Sequence, residues 1–448
     1  MPTLTARSLT TVLLALLLAL AACAPDVDVA TPDGEDDPEN GGEGEGGEEA
    51  DGGGGASLDF VWFTDGPDLE VIEELVGQFE EEEGIDVEFL VLPFADLNER
   101  LQAQVAGGEA PDVVRLADTS PFRRDLLDIT PYLEDAEAFR SAFLEPALQP
   151  VTGPDGELYG IPHDFTMNGP LVNVDAFDAA GIDVPGADDE PWTWEELIAN
   201  ARAAQEAVDA PYAVAYDRSA HRFGGMLSQF GGRYFEPDGD VAFSGDGTEE
   251  ALSTFVGLHD DGLAPLDVWL GSGGNYAAAT DFFVSQQAPV YFAGNWMVAQ
   301  FAQDISDFEW AAMPNPCAAE CGGYPGGKFV TAFDGTDQPE AAAALISFLG
   351  SREAMETYAL RAQFLPTRND LIEEGIAYED RAEDMAVFLA DIPRLPDATY
   401  NDNYNRVFGP VAGIAADQIS RALAGEADVD EVIQAVQEEG QVIVEEAR

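Results

Sequence analysis

The cysteines carry the most specific chemistry in this sequence, and the first of them predicts where the protein works. Cys23 is preceded by small residues and by an apolar run over residues 9–20, with Arg7 in front of the run. The run has the length of a secretory signal rather than of a membrane span, and this arrangement is typical of a bacterial lipoprotein. We therefore predict a signal peptide over residues 1–22 and a lipid on the thiol of Cys23. An ordinary secretory signal with a cysteine at the cut is the alternative.

The other two cysteines, Cys317 and Cys321, are separated by three residues. In an extracellular protein such a pair predicts a small disulfide loop. A metal site is the alternative, but it needs two further ligands, and none of the three histidines is near the pair in sequence. The spacing favours the disulfide, so we predict no metal site and no cofactor.

The elements that have to position polar groups alternate between strand and helix. Strands are predicted over residues 58–63, 85–92 and 112–117, with helices over 68–83 and 97–105 between them. This order predicts an α/β fold whose sheet is mainly parallel, and ligands bind beyond the carboxyl ends of such strands. Four residues at those ends are therefore candidates for binding a ligand: Thr64, Asp65, Asp118 and Thr119.

Further along the chain the elements are less regular. Thr193 and Glu196 have the spacing of a capping box, which predicts the start of a helix over residues 192–208. The remaining predicted elements are a strand then a helix over 241–263, strands over 289–293 and 329–333, a helix over 339–349, and helical structure over 409–446.

Composition excludes several classes of partner. Residues 24–56 are almost wholly Asp, Glu, Gly and Pro, which predicts an unfolded tether behind the lipid. The whole chain has 19 Lys and Arg against 87 Asp and Glu, a formal charge of -68, so nucleic acid and anionic lipid surfaces would repel it. A salt-rich habitat would explain this charge, and a GC-rich genome is the alternative.

Catalytic motifs are not found in the sequence. It contains no nucleophile elbow, no phosphate-binding loop and no His-rich zinc motif. Carboxylates are so common that no acid and base pair stands out. We predict no catalytic residues and no enzymatic activity.

Several stretches occur together in a fixed order. They are residues 58–80, 102–114, 156–162, 172–177 with 180–182 and 192–197, 294–296, and 339–349 leading to 365–368. In this order the chain resembles the extracellular solute-binding proteins, family 1, of carbohydrate ABC importers, which include the maltose-binding protein. It departs from them at Val172, where the family often has Tyr, and at Asn295, where the family pattern has Pro. Cys317 and Cys321 are present in only some members. Because of these differences, no particular sugar is implied.

The resemblance implies a two-lobed periplasmic-binding-protein fold of type II, with a hinge and a sugar buried between the lobes. The N-terminal lobe is expected over residues 57–165 and 328–350, and the C-terminal lobe over 166–327 and 351–448. Crossing segments are expected near residues 162–168 and 327–331. The ligand-binding residues that the resemblance adds are Thr166, Asn168, His221, Arg222, Asn295, Trp296, Tyr400 and Tyr404.

The implied function is capture of a sugar or oligosaccharide by a monomeric lipoprotein on the outer face of the cell membrane. The implied partners are a pair of membrane permeases with cytoplasmic ATPases. Two alternatives stay open. One is a binding protein for a non-sugar solute such as a glycerol phosphate or a peptide, and the other is a secreted polysaccharide hydrolase.

Overall fold

A computed structural model gives the fold, and the structure describes residues 56–64, 66–271 and 278–447. The predicted signal peptide, Cys23 and most of the tether lie outside the described residues. The strands are β1 (Ser57–Trp62), β2 (Asp86–Val91), β3 (Val113–Leu116), β4 (Gly160–Asn173), β5 (Val214–Tyr216), β6 (Val290–Gly294), β7 (Trp310–Ala312) and β8 (Pro325–Ala332).

Helices make up most of the rest of the described chain. They are α1 (Leu69–Glu83), α2 (Phe94–Gly107), α3 (Ala136–Ser141), α4 (Val174–Ala180), α5 (Trp194–Val208), α6 (Ala220–Gln229), α7 (Asp246–Asp260), α8 (Leu266–Leu270), α9 (Thr280–Val284), α10 (Trp296–Asp304), α11 (Pro339–Leu349), α12 (Arg352–Ala362), α13 (Asn369–Glu374), α14 (Ala382–Asp391), α15 (Asp397–Asn403), α16 (Phe408–Leu423) and α17 (Val429–Ala447). Short 3-10 turns cover Ser120–Phe122, Thr130–Tyr132, Glu145–Val151 and Ile392–Arg394. Within the described ranges, none of these helices combines the length and apolar character needed to cross a membrane.

The strands form one sheet in the order β2-β1-β3-β8-β4-β6-β5, with β7 also paired to β4. The pairs β1–β2, β1–β3 and β5–β6 are parallel, as the alternation of strand and helix predicts. The long strands β4 and β8 add antiparallel pairs. Up to Met167, β4 pairs with β8, and from Asn168 it pairs with β6. The strand β4 therefore joins a first half-sheet (β2, β1, β3, β8) to a second half-sheet (β6, β5, β7).

Side chains of the first half-sheet divide between two apolar layers. Phe60 and Trp62 of β1 pack in the large core, whereas Val61 and Phe63 belong to a second cluster with residues of α2. This follows from the alternation of side chains along a strand. All 14 residues of β4 are buried, so this strand lies in the centre of the molecule.

Several predicted elements have the expected ends. The helix α1 ends at Gly84, whose φ of 68° is the left-handed conformation that glycine adopts readily, and Thr193 forms a complete capping box with Glu196. One prediction was wrong: Val241 forms an isolated bridge with Phe235 instead of a strand. The strand predicted over 329–333 is β8, which begins earlier, at Pro325.

Candidate functional site

The candidate site lies on the paired strands β4 and β8, where the first half-sheet joins the second. In this ladder Thr166 is opposite Gly326, and Asp164 is opposite Lys328. Asn168 follows at the point where β4 changes partner. Because alternate residues of a strand face the same side, these polar residues share one face of the pair of strands. The side chains of Asp164, Thr166, Asn168 and Lys328 are all buried.

The helix α6 brings His221 and Arg222 against this face. Asn168 Nδ2 lies 3.2 Å from His221 Nδ1, and Arg222 Nη1 donates to Asn168 Oδ1 at 3.0 Å. His221 Nε2 lies 3.1 Å from the carbonyl oxygen of Pro325, where it can only donate, so Nδ1 is the acceptor. Burial, with help from the Arg222 charge, lowers the pKa of His221 to about 3. The imidazole is therefore neutral at ordinary pH.

Trp296 is the first residue of α10 and is partly buried. The Arg222 guanidinium carbon lies 4.3 Å from its ring centroid, a cation–π contact, so part of the ring surface is already covered. A side chain at Gly294 would collide with the same ring, which explains the glycine at the end of β6. Asn295 is fully buried, and its Oδ1 accepts a hydrogen bond from the Met167 N–H at 2.8 Å. It holds α10 against β4.

Arg222 is held by Asp217, which was not among the predicted site residues. Asp217 is fully buried, and its Oδ2 lies 3.8 Å from Arg222 Nε. The same carboxylate accepts hydrogen bonds from the Ala279 N–H and the Tyr291 hydroxyl, both at 2.9 Å. Burial raises the pKa of Asp217, although the Arg222 charge opposes this effect.

A second set of buried charges lies next to Asp164. Arg115 donates to Asp164 Oδ2 at 2.7 Å and to Asp68 Oδ2 at 3.1 Å, and none of these three side chains is exposed. The Tyr358 hydroxyl also donates to Asp68 Oδ2, at 3.0 Å. Burial would raise the pKa of Asp164, but the charges of Arg115 and Lys328 outweigh it and hold the pKa well below its usual range. None of these residues was predicted from the sequence to bind a ligand.

One predicted loop reaches the Trp296 region. Thr64 is exposed just after β1, and Asp65 lies outside the described residues. A side-chain carbon on Gly66 would lie 3.5 Å from the Trp296 carbonyl oxygen. The loop after β1 therefore approaches the start of α10 from the opposite half-sheet.

The loop after β3 holds the other two predicted residues, Asp118 and Thr119. Asp118 lies near α16, whereas Thr119 does not. Asp118 Oδ1 accepts a hydrogen bond from the Ser120 N–H at 2.8 Å, and its Oδ2 faces Gly409 at the start of α16. Thr119 is buried, and its hydroxyl donates to the Pro150 carbonyl at 2.6 Å. That bond gives Thr119 a structural role.

The two predicted tyrosines lie on or just after α15, beside the crossing strands. The ring of Tyr400 lies 6.3 Å from that of Phe165 on β4, and the ring of Tyr404 lies 6.2 Å from that of Phe329 on β8. Each tyrosine is only 9% exposed. Burial raises the pKa of Tyr400 to about 12, so its hydroxyl stays protonated and can donate a hydrogen bond.

The sulfur atoms of Cys317 and Cys321 lie 2.13 Å apart, the spacing that the predicted disulfide requires. The loop lies near the site, because Asn315 Nδ2 donates to the Asn168 carbonyl at 2.8 Å and the Gln229 carbonyl accepts from the N–H of residue 320 at 2.9 Å. In the part of the chain that the structure describes, no group of three or more His, Cys, Asp and Glu could hold a metal ion.

A cavity of about 990 Å³ lies away from this cluster, beside α3 and Glu145–Val151. Its arginines hold backbone segments together: Arg123 donates to three carbonyls, including that of Thr152, and Arg140 donates to the Thr152 hydroxyl. The guanidiniums beside this cavity therefore hydrogen-bond to oxygens of the protein itself.

The structure thus brings together six of the predicted binding residues, and it adds others. The six are Thr166, Asn168, His221, Arg222, Asn295 and Trp296. The residues missed at the sequence level are Asp164, Asp217, Arg115 and Lys328. Only Lys328 had a visible signal, because it is the one lysine in the chain and follows two glycines.

Comparison with known proteins identifies a family. Residues 64–356 match the sequence model of a family described as bacterial extracellular solute-binding protein. An arabinooligosaccharide-binding protein of Halalkalibacterium halodurans is 24% identical over 346 residues, which cover 73% of this chain and 75% of that protein.

Solved structures of similar fold are also known. An ABC substrate-binding protein from Listeria monocytogenes, in complex with cycloalternan, has a TM-score of 0.69 and 21% identity, covering 86% of this chain and 98% of its own. The maltose-bound MalE3 of T. maritima has a TM-score of 0.71 and 20% identity, covering 87% and 100%. At such identities these likenesses show the fold, which is the two-lobed one.

Proposed function

This chain belongs to the bacterial extracellular solute-binding proteins, and we propose that it captures a neutral sugar or oligosaccharide between its two half-sheets for an ABC importer. The relatives named above bind oligosaccharides or sugars. The observation that carries the proposal is the cluster of Thr166, Asn168, His221 and Arg222 beside a partly exposed Trp296. Flat aromatic surface next to hydrogen-bonding groups suits the apolar faces and polar edges of a sugar.

The charges around the cluster favour a neutral ligand. Two cations, Arg115 and Lys328, accompany two buried carboxylates, Asp68 and Asp164. Arg222 lies next to Asp217, and His221 is neutral. A charged ligand would add an uncompensated charge to a group that is already balanced, which is costly in a buried site. This argues against a glycerol phosphate.

The first experiment is a thermal-shift screen of the full chain. Maltose, malto-oligosaccharides and arabino-oligosaccharides are compared with glycerol phosphate and short peptides, because a ligand that binds only the folded protein raises its melting temperature. We expect a neutral saccharide to raise it. A rise with glycerol phosphate or peptides alone would contradict the sugar assignment. Release of smaller sugars from a polysaccharide by the pure protein would support the hydrolase instead.

The second experiment tests the position of the ligand. Trp296→Ala removes an aromatic contact and should weaken sugar binding by about 2 kcal/mol or more. The matched control is Trp192→Phe, because Trp192 packs against Phe177 at 5.8 Å, outside the cluster. Unchanged affinity in Trp296→Ala would place the ligand elsewhere. Loss of the melting transition would assign Trp296 to the core.

Anchoring and delivery complete the proposal. A lipid on Cys23 would keep the protein at the outer face of the membrane, next to a permease pair with cytoplasmic ATPases. Cys23→Ser should leave the protein unprocessed or release it into the medium. Processed Cys23→Ser protein in the membrane fraction at the wild-type level would refute the lipid attachment. Delivery is tested by whether the sugar-loaded protein stimulates ATP hydrolysis by the reconstituted permease.

A further inference from the structure

Lys328 is the only lysine in the 448 residues, and it lies in the middle of the molecule. It belongs to β8 and stands directly opposite Asp164 on β4. Its side chain is 11% exposed, and Nζ lies 4.0 Å from Asp164 Oδ1. At that distance the two groups form an ion pair, but they are too far apart for a hydrogen bond.

The neighbours of Lys328 place it at the candidate site. Gly326 is two residues earlier on the same strand, and so on the same face. A side-chain carbon on Gly326 would lie 2.6 Å from Thr166 Oγ1 and 3.5 Å from His221 Nε2. The glycine therefore leaves room for the Thr166 side chain beside β8. The charge of Lys328 also lowers the pKa of His221, although burial and the Arg222 charge have larger effects.

Asp164 has one oxygen that accepts no hydrogen bond in the described part of the chain. Oδ2 accepts a hydrogen bond from Arg115 at 2.7 Å, whereas Oδ1 is buried and has no hydrogen-bond partner within the described residues. A buried acceptor oxygen that makes no hydrogen bond is costly. The Lys328 ammonium stands beside this oxygen and carries donors only.

The spacing of these two atoms suits one hydroxyl group. An oxygen about 2.8 Å from each of them closes a triangle on the 4.0 Å distance between Lys328 Nζ and Asp164 Oδ1. A hydroxyl can accept a hydrogen bond from the ammonium and donate its own proton to the carboxylate. A ligand carboxylate cannot donate to Asp164, and a ligand ammonium cannot accept from Lys328.

We propose that Lys328 and Asp164 select a neutral saccharide by binding one of its hydroxyl groups between Nζ and Oδ1. This inference rests on the proposed function and adds to it the two residues that bind one hydroxyl group of the saccharide. The other side of Asp164 remains bound to Arg115, so the carboxylate keeps its position when Lys328 is replaced.

The test uses the full chain and the saccharide that most stabilises the wild type in the screen. Lys328→Met keeps a side chain of similar length but removes the donors, and should reduce affinity by about tenfold to a hundredfold. Arg100→Gln is the control, since Arg100 is 57% exposed on α2 and its ion pair among the described residues is with Asp96, at 3.9 Å. It should leave affinity unchanged.

Deoxy analogues of that saccharide identify the hydroxyl. Removing the bound hydroxyl should weaken binding to the wild type by at least tenfold and have little further effect on Lys328→Met, because both changes remove the same hydrogen bond. If every deoxy analogue loses the same factor in both proteins, or if Lys328→Met binds like the wild type, the proposal is refuted.

The reactivity of the single lysine gives a readout that separates this proposal from the proposed function. Reductive methylation of the full chain, followed by peptide mass spectrometry, reports on Lys328 apart from the amino terminus. The Arg100→Lys variant adds an exposed amine as an internal reference. We expect the saccharide to slow methylation of Lys328 at least tenfold and to leave the reference unchanged.

Each outcome of this experiment has a defined meaning. Equal rates with and without a stabilising saccharide refute the role of Lys328, while the proposed function stands. If no saccharide stabilises the wild type, the proposed function fails. In that case, a Lys328 that is not methylated in the ligand-free protein also shows that a ligand cannot reach the amine, which refutes its role. A Lys328 that is methylated supports an open site for another hydroxyl compound such as a polyol.

Discussion

Asp402, in α15 between the two candidate tyrosines, is expected to make stability depend on pH near neutrality. Its carboxylate is 1% exposed and accepts hydrogen bonds from the Tyr234 N–H at 2.7 Å and the Phe235 N–H at 2.9 Å. These bonds favour the charged form, but burial outweighs them and raises the pKa from 3.8 to about 7. The folded protein therefore binds a proton on Asp402 that the unfolded chain has already released.

The sign of the effect follows from this difference. Between about pH 4 and pH 7 the folded state binds more protons than the unfolded state, so the free energy of unfolding falls as pH rises. The contribution is fully present below the unfolded pKa and is lost above the folded one. Raising the pKa from 3.8 to about 7 corresponds to about 4 kcal/mol, at 1.36 kcal/mol for each pH unit.

The variant Asp402→Asn removes the titration. At pH 5 it should be less stable than the wild type by about 1–3 kcal/mol, because the amide can accept at one atom only and leaves one buried N–H without a partner. As pH rises from 5 to 8, the wild type alone loses up to about 3 kcal/mol, because about two pH units separate pH 5 from the folded pKa. The difference in the free energy of unfolding between the wild type and Asp402→Asn should therefore shrink as pH rises, and then vanish or change sign.

Urea unfolding, followed by tryptophan fluorescence at pH 5, 6, 7 and 8 and constant salt, measures this difference. Titrations of other carboxyls are common to both proteins and cancel. The control is Glu134→Gln, which changes an exposed carboxyl. A difference between wild type and Asp402→Asn that stays constant over the pH range would show that Asp402 does not titrate in this window.

Three further predictions concern stability. Arg115→Met leaves Asp68 and Asp164 buried without their shared cation and should cost about 3–5 kcal/mol in urea unfolding; a loss below about 1 kcal/mol would contradict the ion-pair reasoning. Cys317 and Cys321 should resist alkylation until reductant is added, and reduction should cost on the order of 2 kcal/mol; two thiols that react in the unreduced protein would disprove the bond. The melting temperature should rise from low to molar salt, because ions screen repulsion among the 87 acidic residues; a flat curve would leave genome composition as the explanation.

Local patterns predicted the elements well where a local cause determines them. The helix α1 ends at Gly84 because glycine adopts the left-handed conformation easily, and Thr193 with Glu196 caps α5 through neighbouring backbone groups. The strand near Val241 failed for the opposite reason. Its β-branched and aromatic residues pack in the core through tertiary contacts and make only one bridge.

The candidate site was predictable in part. Thr166, Asn168, His221, Arg222 and Trp296 were identified through the family resemblance, and the structure places them together. Their contacts were not predictable, since they depend on how α6 packs against β4.

The sequence by itself determined the alternation of strand and helix, the acidic charge and the family, because these depend on residue type and order along the chain. Only the tertiary structure decided which charges meet. Asp68 looked like the start of α1, yet its carboxylate binds Arg115, 47 residues away. Lys328 meets Asp164 across 164 residues of sequence, because β4 and β8 pair antiparallel in the centre of the molecule. Buried ion pairs form between groups that the fold brings within a few ångströms, and spacing along the chain does not encode that distance.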